Sequence, residues 1–176
     1  MNGTVIRAAR VADAAQIAVV HVRSWQGAYR GLMPQAYLDG LDPAQRLGRW
    51  ERSLAEVDAG RTGVLVADAG GNLLGFASYS PSRDSDADPG RVGEIGAIYL
   101  LPSAWGKGIG RRLMDATLAR MSKAGFVQVT LWVLDSNVRA RRFYEAGGWS
   151  ADGGQKLDES RGFPITQVRY RRSFWS

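Results

Sequence analysis

The most informative segment of the chain spans residues 98 to 123. It reads Ile98-Tyr99-Leu100-Leu101-Pro102, then Trp105-Gly106-Lys107-Gly108-Ile109-Gly110, then an amphipathic segment from Arg111 to Lys123. The apolar run predicts a strand, the glycines a turn, and the amphipathic segment a helix. Because glycines carry no side chain, free backbone N–H groups at the helix start can surround a phosphate. The stretch therefore predicts an anionic ligand at a strand–turn–helix junction.

The glycine pattern matches neither of the two common nucleotide-binding fingerprints. A Walker loop needs Gly-Lys followed by Ser or Thr at its end, whereas Arg111 follows Gly110 here. A Rossmann turn needs a third glycine at position 113, which is Leu113. The common nucleotide-binding folds are thus disfavoured.

Composition predicts one domain spanning residues 1–176, since 45% hydrophobic residues suffice for a core. With no cysteine and a single histidine, His21, we expect no disulfide, no thiolate nucleophile and no metal site. No apolar run approaches the roughly 20 residues that cross a bilayer, and the N-terminus lacks a signal-peptide layout. These features predict a cytoplasmic protein without a membrane partner.

The chain is basic, with a net charge of +6 and a pI near 10.1. Arginine-rich positive charge suits a polyphosphorylated cofactor or a nucleic acid, although a solvated basic surface is the alternative. Arg169, Arg171 and Arg172 interleave with Tyr170 near the C-terminus, as in single-strand nucleic-acid binders. Strand alternation would send these arginines to both faces, and no recognition motif accompanies them. Nucleic-acid binding is therefore disfavoured.

Periodicity predicts six strands and five helices. The strands are Thr4–Ala8, Gly63–Asp68, Leu73–Ser80, Val92–Leu101, Val127–Leu134 and Pro164–Phe174. The helices are one capped by Asp13 and running through Trp25, then Gln35–Leu41, Pro43–Ala59, Ile109–Lys123 and Val138–Ala146. This order predicts an α/β chain of the mixed α+β type, with helices on both faces of a mixed sheet.

Two regions between these elements admit a structural and a functional interpretation. The loop Pro81–Gly90 carries Asp84, Asp86 and Asp88 and is either a mobile acidic loop or an attractor for a cationic substrate. Trp25 and Tyr29 open a glycine- and proline-broken segment, where they are either core residues or the wall of a substrate pocket. His21, on the preceding helix, is interpreted as a hydrogen-bonded packing residue.

A second motif follows the strand at Val127–Leu134. Asn137 is placed to begin a helix, and Tyr144 lies seven residues later on the same face, about 10 Å along the axis. An asparagine cap and a helix tyrosine are ordinary features, yet this spacing also directs the tyrosine into a cleft beside the cap.

Together, these motifs resemble the Gcn5-related N-acetyltransferase (GNAT) superfamily. The resemblance covers Glu94 to Trp149, and Ile6-Arg7-Ala8 with Asp13 and Ile17 is similar to the opening strand and helix of the family. It implies a single domain with a mostly antiparallel sheet of about seven strands, split by acetyl-CoA. One departure is Trp105, which stands where the family pattern Gln/Arg-x-x-Gly-x-Gly/Ala begins.

The resemblance implies acetyl-CoA as cosubstrate, with the pantetheine arm pairing to backbone as an added strand. Its contacts would be the strand residues Ile98, Tyr99 and Leu100, the loop residues Gly106, Lys107, Gly108, Ile109, Gly110 and Arg111, and Asn137. Because backbone amides hold the diphosphate, Trp105 should weaken this site only modestly. Arg141 and Arg142 would either contact the terminal phosphate or remain surface charges.

Two residues are expected to perform the chemistry. A lysine-like amine with a pKa of about 10.4 must lose its proton before it attacks the thioester. Glu94 lies eleven residues before Trp105, where the histone-acetylating branch of the family has its glutamate base. Strand alternation places it on the face of Ile98 and Leu100, unless it merely pairs with Arg91. Tyr144 would protonate the departing thiolate.

The implied function is acetyl transfer to a primary amine of a small molecule by direct attack within a ternary complex. The alternatives are acetylation of a protein lysine or N-terminus, and a non-catalytic acyl-CoA-binding module. Relatives that acetylate ribosomal-protein N-termini carry a glutamate base five residues before the asparagine, where this chain has Trp132, here a candidate substrate contact. Homodimers are common in similar families, although nothing in the sequence specifies an interface.

Overall fold

Seven strands form one continuous sheet in the computed structural model, which describes residues 3–57 and 60–174. The strands are β1 (Val5–Ala8), β2 (Gly63–Ala69), β3 (Asn72–Pro81), β4 (Val92–Leu100), β5 (Gln128–Leu134), β6 (Ser150–Asp158) and β7 (Ile165–Ser173). Their spatial order is β1-β2-β3-β4-β5-β7-β6, and β4–β5 is the parallel pair among antiparallel ones. The expected mixed, mostly antiparallel sheet is confirmed.

Helices cover both faces of this sheet. They are α1 (Ala14–Ala28), α2 (Gln35–Asp39), α3 (Ala44–Ala55), α4 (Ile109–Lys123) and α5 (Val138–Ala146). The predicted end of the third helix at Ala59 lies outside the described residues. On one face, Ile17 of α1 and Trp50 of α3 pack against Phe76. On the other face, Met114 of α4 and Tyr144 of α5 pack around Leu131.

Strands β4 and β5 pair only at their first residues. The parallel register joins Val92 to Gln128, Gly93 to Val129 and Glu94 to Thr130. Beyond Glu94 the two strands separate, while β4 still pairs with β3 and β5 with β7. The sheet therefore opens into a gap whose two edges carry unpaired backbone groups, as the resemblance implied.

A bulge in β4 changes which side chains face this gap. Ile95 pairs with Tyr79 and Ala97 with Ser78, so Gly96 is the extra residue. After the bulge, Ile98 packs on the α4 face beside Ile95, whereas Tyr99 packs on the α1 face. Glu94 therefore faces the α1 side, and the expectation that it shares a face with Ile98 and Leu100 is wrong.

Strand β6 is absent from the sequence-based prediction. Its residues are mostly polar or glycine and mostly exposed, and its pairing with β7 is interrupted between Ala151 and Gln155. Such a segment has low strand propensity and no alternating apolar face. It becomes a strand because β7 offers a free edge, which local sequence does not reveal.

Asp13 and the acidic loop also differ from expectation. Asp13 makes no side-chain cap to α1; its carboxylate accepts from the Arg10 amide at 2.7 Å and pairs with Arg7 at 2.8 Å. Arg169 binds Asp86 at 2.7 Å and Asp84 at 3.2 Å. Asp84 and Asp86 thus pair with a buried arginine, whereas Asp88 accepts the Gly90 amide.

Candidate active site

A cleft of about 530 Å³ occupies the gap between β4 and β5. Eight of the ten residues predicted to hold the cofactor line it: Ile98, Tyr99, Leu100, Gly106, Gly108, Gly110, Arg111 and Asn137. The other two do not. Lys107 projects into solvent, and the Ile109 side chain is buried between Ala67 and Ala104. For those two residues, only the backbone can serve a ligand in the cleft.

The glycine loop presents backbone donors to one end of the cleft. Gly106 and Gly108 have positive φ angles of 71° and 77°, and a Cβ at either would have no atom within 4 Å. Gly108 caps α4, and the first helical bond of α4 runs from the Arg112 amide to the Gly108 carbonyl. The amides of residues 109 to 111 therefore lack helix partners and can bind an anion.

The free edge of β4 supplies further backbone groups. The Leu101 amide donates to the Leu74 carbonyl of β3. Because the backbone groups of successive residues point to alternate sides of a strand, those of Leu100 and Ile98 point toward the gap. The Leu100 carbonyl already accepts the indole N–H of Trp105 at 3.1 Å. Trp105, which departs from the family pattern, is thus tied to the edge that the resemblance assigned to pantetheine.

Arg139 is a cleft residue that sequence reasoning missed. Its guanidinium lies 3.3 Å from the Trp105 ring centroid, and it lines the cleft without an ion pair to any residue from 3–57 or 60–174. Burial lowers its pKa. Arg141, one of the two arginines considered earlier, instead binds Asp135 at 2.9 Å and the Tyr170 hydroxyl. The sequence signal for Arg139 as a cleft residue was its basic side chain in the first turn of α5.

Tyr144 lies where the second motif predicts. The Asn137 Oδ1 atom accepts from the Ala140 amide at 3.2 Å, which begins α5 and directs Tyr144 into the cleft. The residue is 8% exposed, and burial raises the pKa of its phenol. Its hydroxyl makes no hydrogen bond within the described part of the chain. The cleft therefore contains a neutral O–H donor free to serve a ligand.

The three candidate substrate contacts lie in different surroundings. Tyr29 and Trp132 line the cleft, whereas Trp25 lines a second cavity on the α1 face. The Tyr29 and Tyr99 hydroxyls lie 3.2 Å apart, and burial raises the pKa of both phenols. The Trp132 indole donates to Asp84 at 3.0 Å.

Glu94 lies where the sheet opens, although it does not line the cleft itself. It is 8% exposed and pairs with Arg83 at 3.8 Å, so the arginine partner considered as the alternative to a catalytic role is Arg83 rather than Arg91. Burial raises the pKa of its carboxyl; Asp84 adds to this effect, while Arg83 and Lys156 oppose it. The carboxylate therefore binds a proton more readily than an ordinary glutamate.

His21 is a neutral packing residue, as interpreted. The Trp50 indole N–H donates to its Nδ1 at 3.3 Å, and burial, reinforced by Arg46 and Arg49, lowers its pKa to about 4. An indole only donates, so the ring proton is assigned to Nε2. This tautomer offers no lone pair to a substrate amine.

Two further properties bear on the class of chemistry. Within residues 3–57 and 60–174, no three histidine, aspartate or glutamate side chains are grouped as a metal site. No helix in those ranges combines the length and apolarity of a membrane span.

Comparison with known proteins identifies the fold and the family. The sequence model described as the acetyltransferase (GNAT) family matches residues 25–149. The uncharacterized N-acetyltransferase YuaI of Bacillus subtilis is 36% identical over 134 residues, covering 75% of this chain and 72% of the relative.

Solved structures agree in fold along nearly the whole chain. PaiA N-acetyltransferase of Thermoplasma acidophilum, in complex with coenzyme A, is 21% identical with a TM-score of 0.70, covering 98% of this chain and 99% of its own. YncA of Salmonella typhimurium, with acetyl-CoA, is 20% identical with a TM-score of 0.73, covering 99% and 95%. The split sheet, the glycine loop before α4 and the family match together show that this chain belongs to the GNAT family of acetyltransferases.

Proposed function

We propose that this protein transfers an acetyl group from acetyl-CoA to a primary amine of a small molecule, by direct attack in a ternary complex. The main support for the proposal is the cleft between β4 and β5. Unpartnered backbone amides lie at one end of this cleft, and the Tyr144 hydroxyl also faces it. Acetyl-CoA supplies the activated acetyl thioester.

The residues of the cleft fit coenzyme A. The unpartnered amides of residues 109 to 111 would hold the diphosphate, and the unpaired cation of Arg139 adds attraction for phosphate. The backbone groups of Ile98 and Leu100 would pair with the amide arm, as an added strand does. Trp105 supports this edge through its bond to Leu100.

Glu94 is the proposed acceptor of the proton of the amine. A lysine-like amine is over 99% protonated at neutral pH, and deprotonating it costs about 4.6 kcal/mol. Burial raises the pKa of Glu94 toward that of an effective base, and the residue lies at the fork of the sheet. Since its side chain does not line the cleft, a water relay would carry the proton.

Tyr144 is the proposed acid. Its raised pKa keeps the phenol protonated at neutral pH, and its O–H has no competing partner among the described residues. It can therefore donate to the thiolate that leaves, a contribution typically about 10²- to 10⁴-fold in rate. The chain has no cysteine to form a thioester intermediate, which favours direct transfer.

A thiol-release assay with Tyr144→Phe tests the proposal. We expect the variant to lose about 10²- to 10⁴-fold in turnover, with the affinity for coenzyme A unchanged by calorimetry. Tyr170→Phe is the matched control, because it removes a buried hydroxyl that lies outside the cleft.

Three results would count against parts of the proposal. Unchanged turnover in Tyr144→Phe excludes the acid role. Coenzyme A binding without acetylation of any amine or peptide favours a non-catalytic module. If only peptides are acetylated, the acceptor is a protein rather than a small molecule.

A further inference from the structure

A second cavity of about 650 Å³ lies on the opposite face of β4, between that strand and helices α1 and α3. We call it the arginine-lined cavity. It meets the cleft at Gly96, Ala97 and Tyr99, which line both spaces. Gly96, the extra residue of the bulge, contributes no side chain to the wall between the two spaces, whereas Ala97 and Tyr99 do. A molecule in this cavity therefore sits beside the point where the sheet opens.

The lining of this cavity is strongly positive. It contains Arg46, Arg49, Arg83 and Arg161, against Glu56 as the one acidic residue among its described members. His21, which also lines it, is neutral at pH 7. A concave wall with this charge attracts anions and repels cations.

Two of these arginines are uncompensated. Arg46 and Arg49 lie on one side of α3, with Ser53 a turn further along, and neither pairs with a carboxylate in the described ranges. Elsewhere in the chain, Arg7 and Arg169 are each satisfied by two or more carboxylates. Arg46 is half-buried and Arg49 is exposed, and each guanidinium can bind an anion that enters the cavity.

Trp25 brings cations together from two distant parts of the chain. The Arg46 guanidinium, from α3, lies 5.9 Å from its ring centroid, and that of Arg161, from the β6–β7 connection, lies 5.4 Å away. Asp158 orients Arg161 through a 2.6 Å ion pair. Trp25 is only 9% exposed, and its indole Nε1 atom is buried rather than open to the cavity. Two guanidiniums from distant parts of the chain thus converge on one wall of the cavity.

We propose that the acceptor is a primary amine that also bears an acidic group, a carboxylate or phosphonate, which Arg46 and Arg161 bind while the amine points toward Gly96. The inference rests on the proposed acetyl transfer and narrows its acceptor class. Polyamines and other polycations are excluded by the same positive lining. Arg49 adds to the attraction at longer range.

The positive charge of the arginine-lined cavity also assists acetyl transfer. Positive charge near the amine favours its neutral form, so less of the deprotonation cost falls on Glu94. In the transfer, a C–N bond forms and the C–S bond of the thioester breaks. Of the two protons lost from the ammonium group, one passes to the thiolate and the other to Glu94 and then to solvent.

The test is a matched panel assayed by thiol release and by calorimetry. Glycine, β-alanine, γ-aminobutyrate, L-leucine and aminoethylphosphonate are each compared with their carboxamide or diester, and spermidine represents polycations. We expect at least one acid-bearing amine to exceed its neutral partner by about tenfold or more in kcat/KM, although the neutral partner has the less basic amine. Spermidine should not be acetylated.

Variants then locate the effect. Arg46→Gln and Arg161→Gln should raise KM for the acid-bearing amine by about tenfold or more with little change in kcat, and leave the neutral partner unaffected. Arg52→Gln is the matched control, since it removes the same charge from an exposed position of α3 outside the cavity. Arg49→Gln provides a second cavity variant if Arg46→Gln proves unstable.

The outcomes separate this inference from the proposed function. If acid-bearing amines bind in an Arg46-dependent manner and none is acetylated, acetyl transfer to small molecules fails and the cavity assignment stands. If neutral amides or spermidine are acetylated equally well, the cavity assignment is overturned and acetyl transfer stands. If no acid-bearing amine binds, or if Arg52→Gln has the same effect as Arg46→Gln, the cavity assignment is also overturned.

Discussion

Replacing Gly108 by alanine separates the backbone strain of the glycine loop from its proposed role in binding coenzyme A. Gly108 has a φ of 77°, and a Cβ there would meet no atom within 4 Å. The cost of the methyl group is therefore confined to backbone strain, about 1–2 kcal/mol. For a chain of this length, each kcal/mol lowers Tm by about 2–4 °C, so we expect Tm to fall by about 2–8 °C.

Gly125→Ala is the matched control at the other end of α4. Gly125 has a φ of 94° and equally open space around its Cβ position, so its substitution costs a similar strain. The 15 residues of α4 separate the two sites by about 22 Å. Gly125 does not line the cleft. Both variants should lose stability, and only Gly108→Ala should lose affinity for coenzyme A.

Calorimetric titration with coenzyme A gives the deciding measurement. Loss of one hydrogen bond to a charged phosphate costs about 1.5–3 kcal/mol, which is about 10- to 150-fold in Kd. We expect that loss in Gly108→Ala, with Gly125→Ala within about twofold of wild type. Equal affinity in all three proteins would show that the amides around residue 108 do not hold the diphosphate. Equal loss in both variants would trace the effect to global destabilisation.

Three further predictions concern charged residues. Burial raises the folded-state pKa of Glu94 above 4.5, so ionising this carboxyl at higher pH destabilises the folded state. Glu94→Gln should therefore raise Tm at pH 7 but not below about pH 4. Turnover should fall in the same variant. A lower Tm at pH 7 would contradict this. Arg139→Gln should weaken coenzyme A binding, measured by calorimetry, by about tenfold in low salt and by less in high salt. A change in affinity that does not depend on salt would exclude a phosphate contact. Arg169→Met should lower stability by about 1.5–3 kcal/mol in urea unfolding, because it removes the buried guanidinium that Asp84, Asp86 and Asp152 share. Arg171→Met, with one carboxylate partner, should cost less. Equal losses would refute the network.

Local patterns were sufficient to predict the glycine loop and the helix residues that line the cleft. The glycines at 106 and 108 adopt the positive φ angles that only glycine accepts readily, and the helix begins directly after them. Asn137 caps α5 and Tyr144 reaches the cleft, because seven residues span two helical turns. Such features depend on neighbours within one or two turns, so they can be read from sequence.

Elements that depend on distant partners were missed or misplaced. Strand β6 forms on the edge of β7 despite a polar, glycine-rich sequence. The bulge at Gly96 reverses the face of Glu94, because one extra residue inverts the alternation that sequence reasoning assumes. Neither feature has a local signal, since each is set by how the neighbouring strand pairs.

Local sequence is sufficient to specify the strand–loop–helix unit, the helix from Asn137 to Tyr144 and the family. Which charges converge is seen only in the folded chain, where Arg139 lies on Trp105 and both Arg46 and Arg161 lie on Trp25. The difference follows from the sequence separation over which each interaction acts. Dihedral preferences and caps act between near neighbours, whereas a cavity takes its charge from residues more than a hundred positions apart that only the folded sheet brings together.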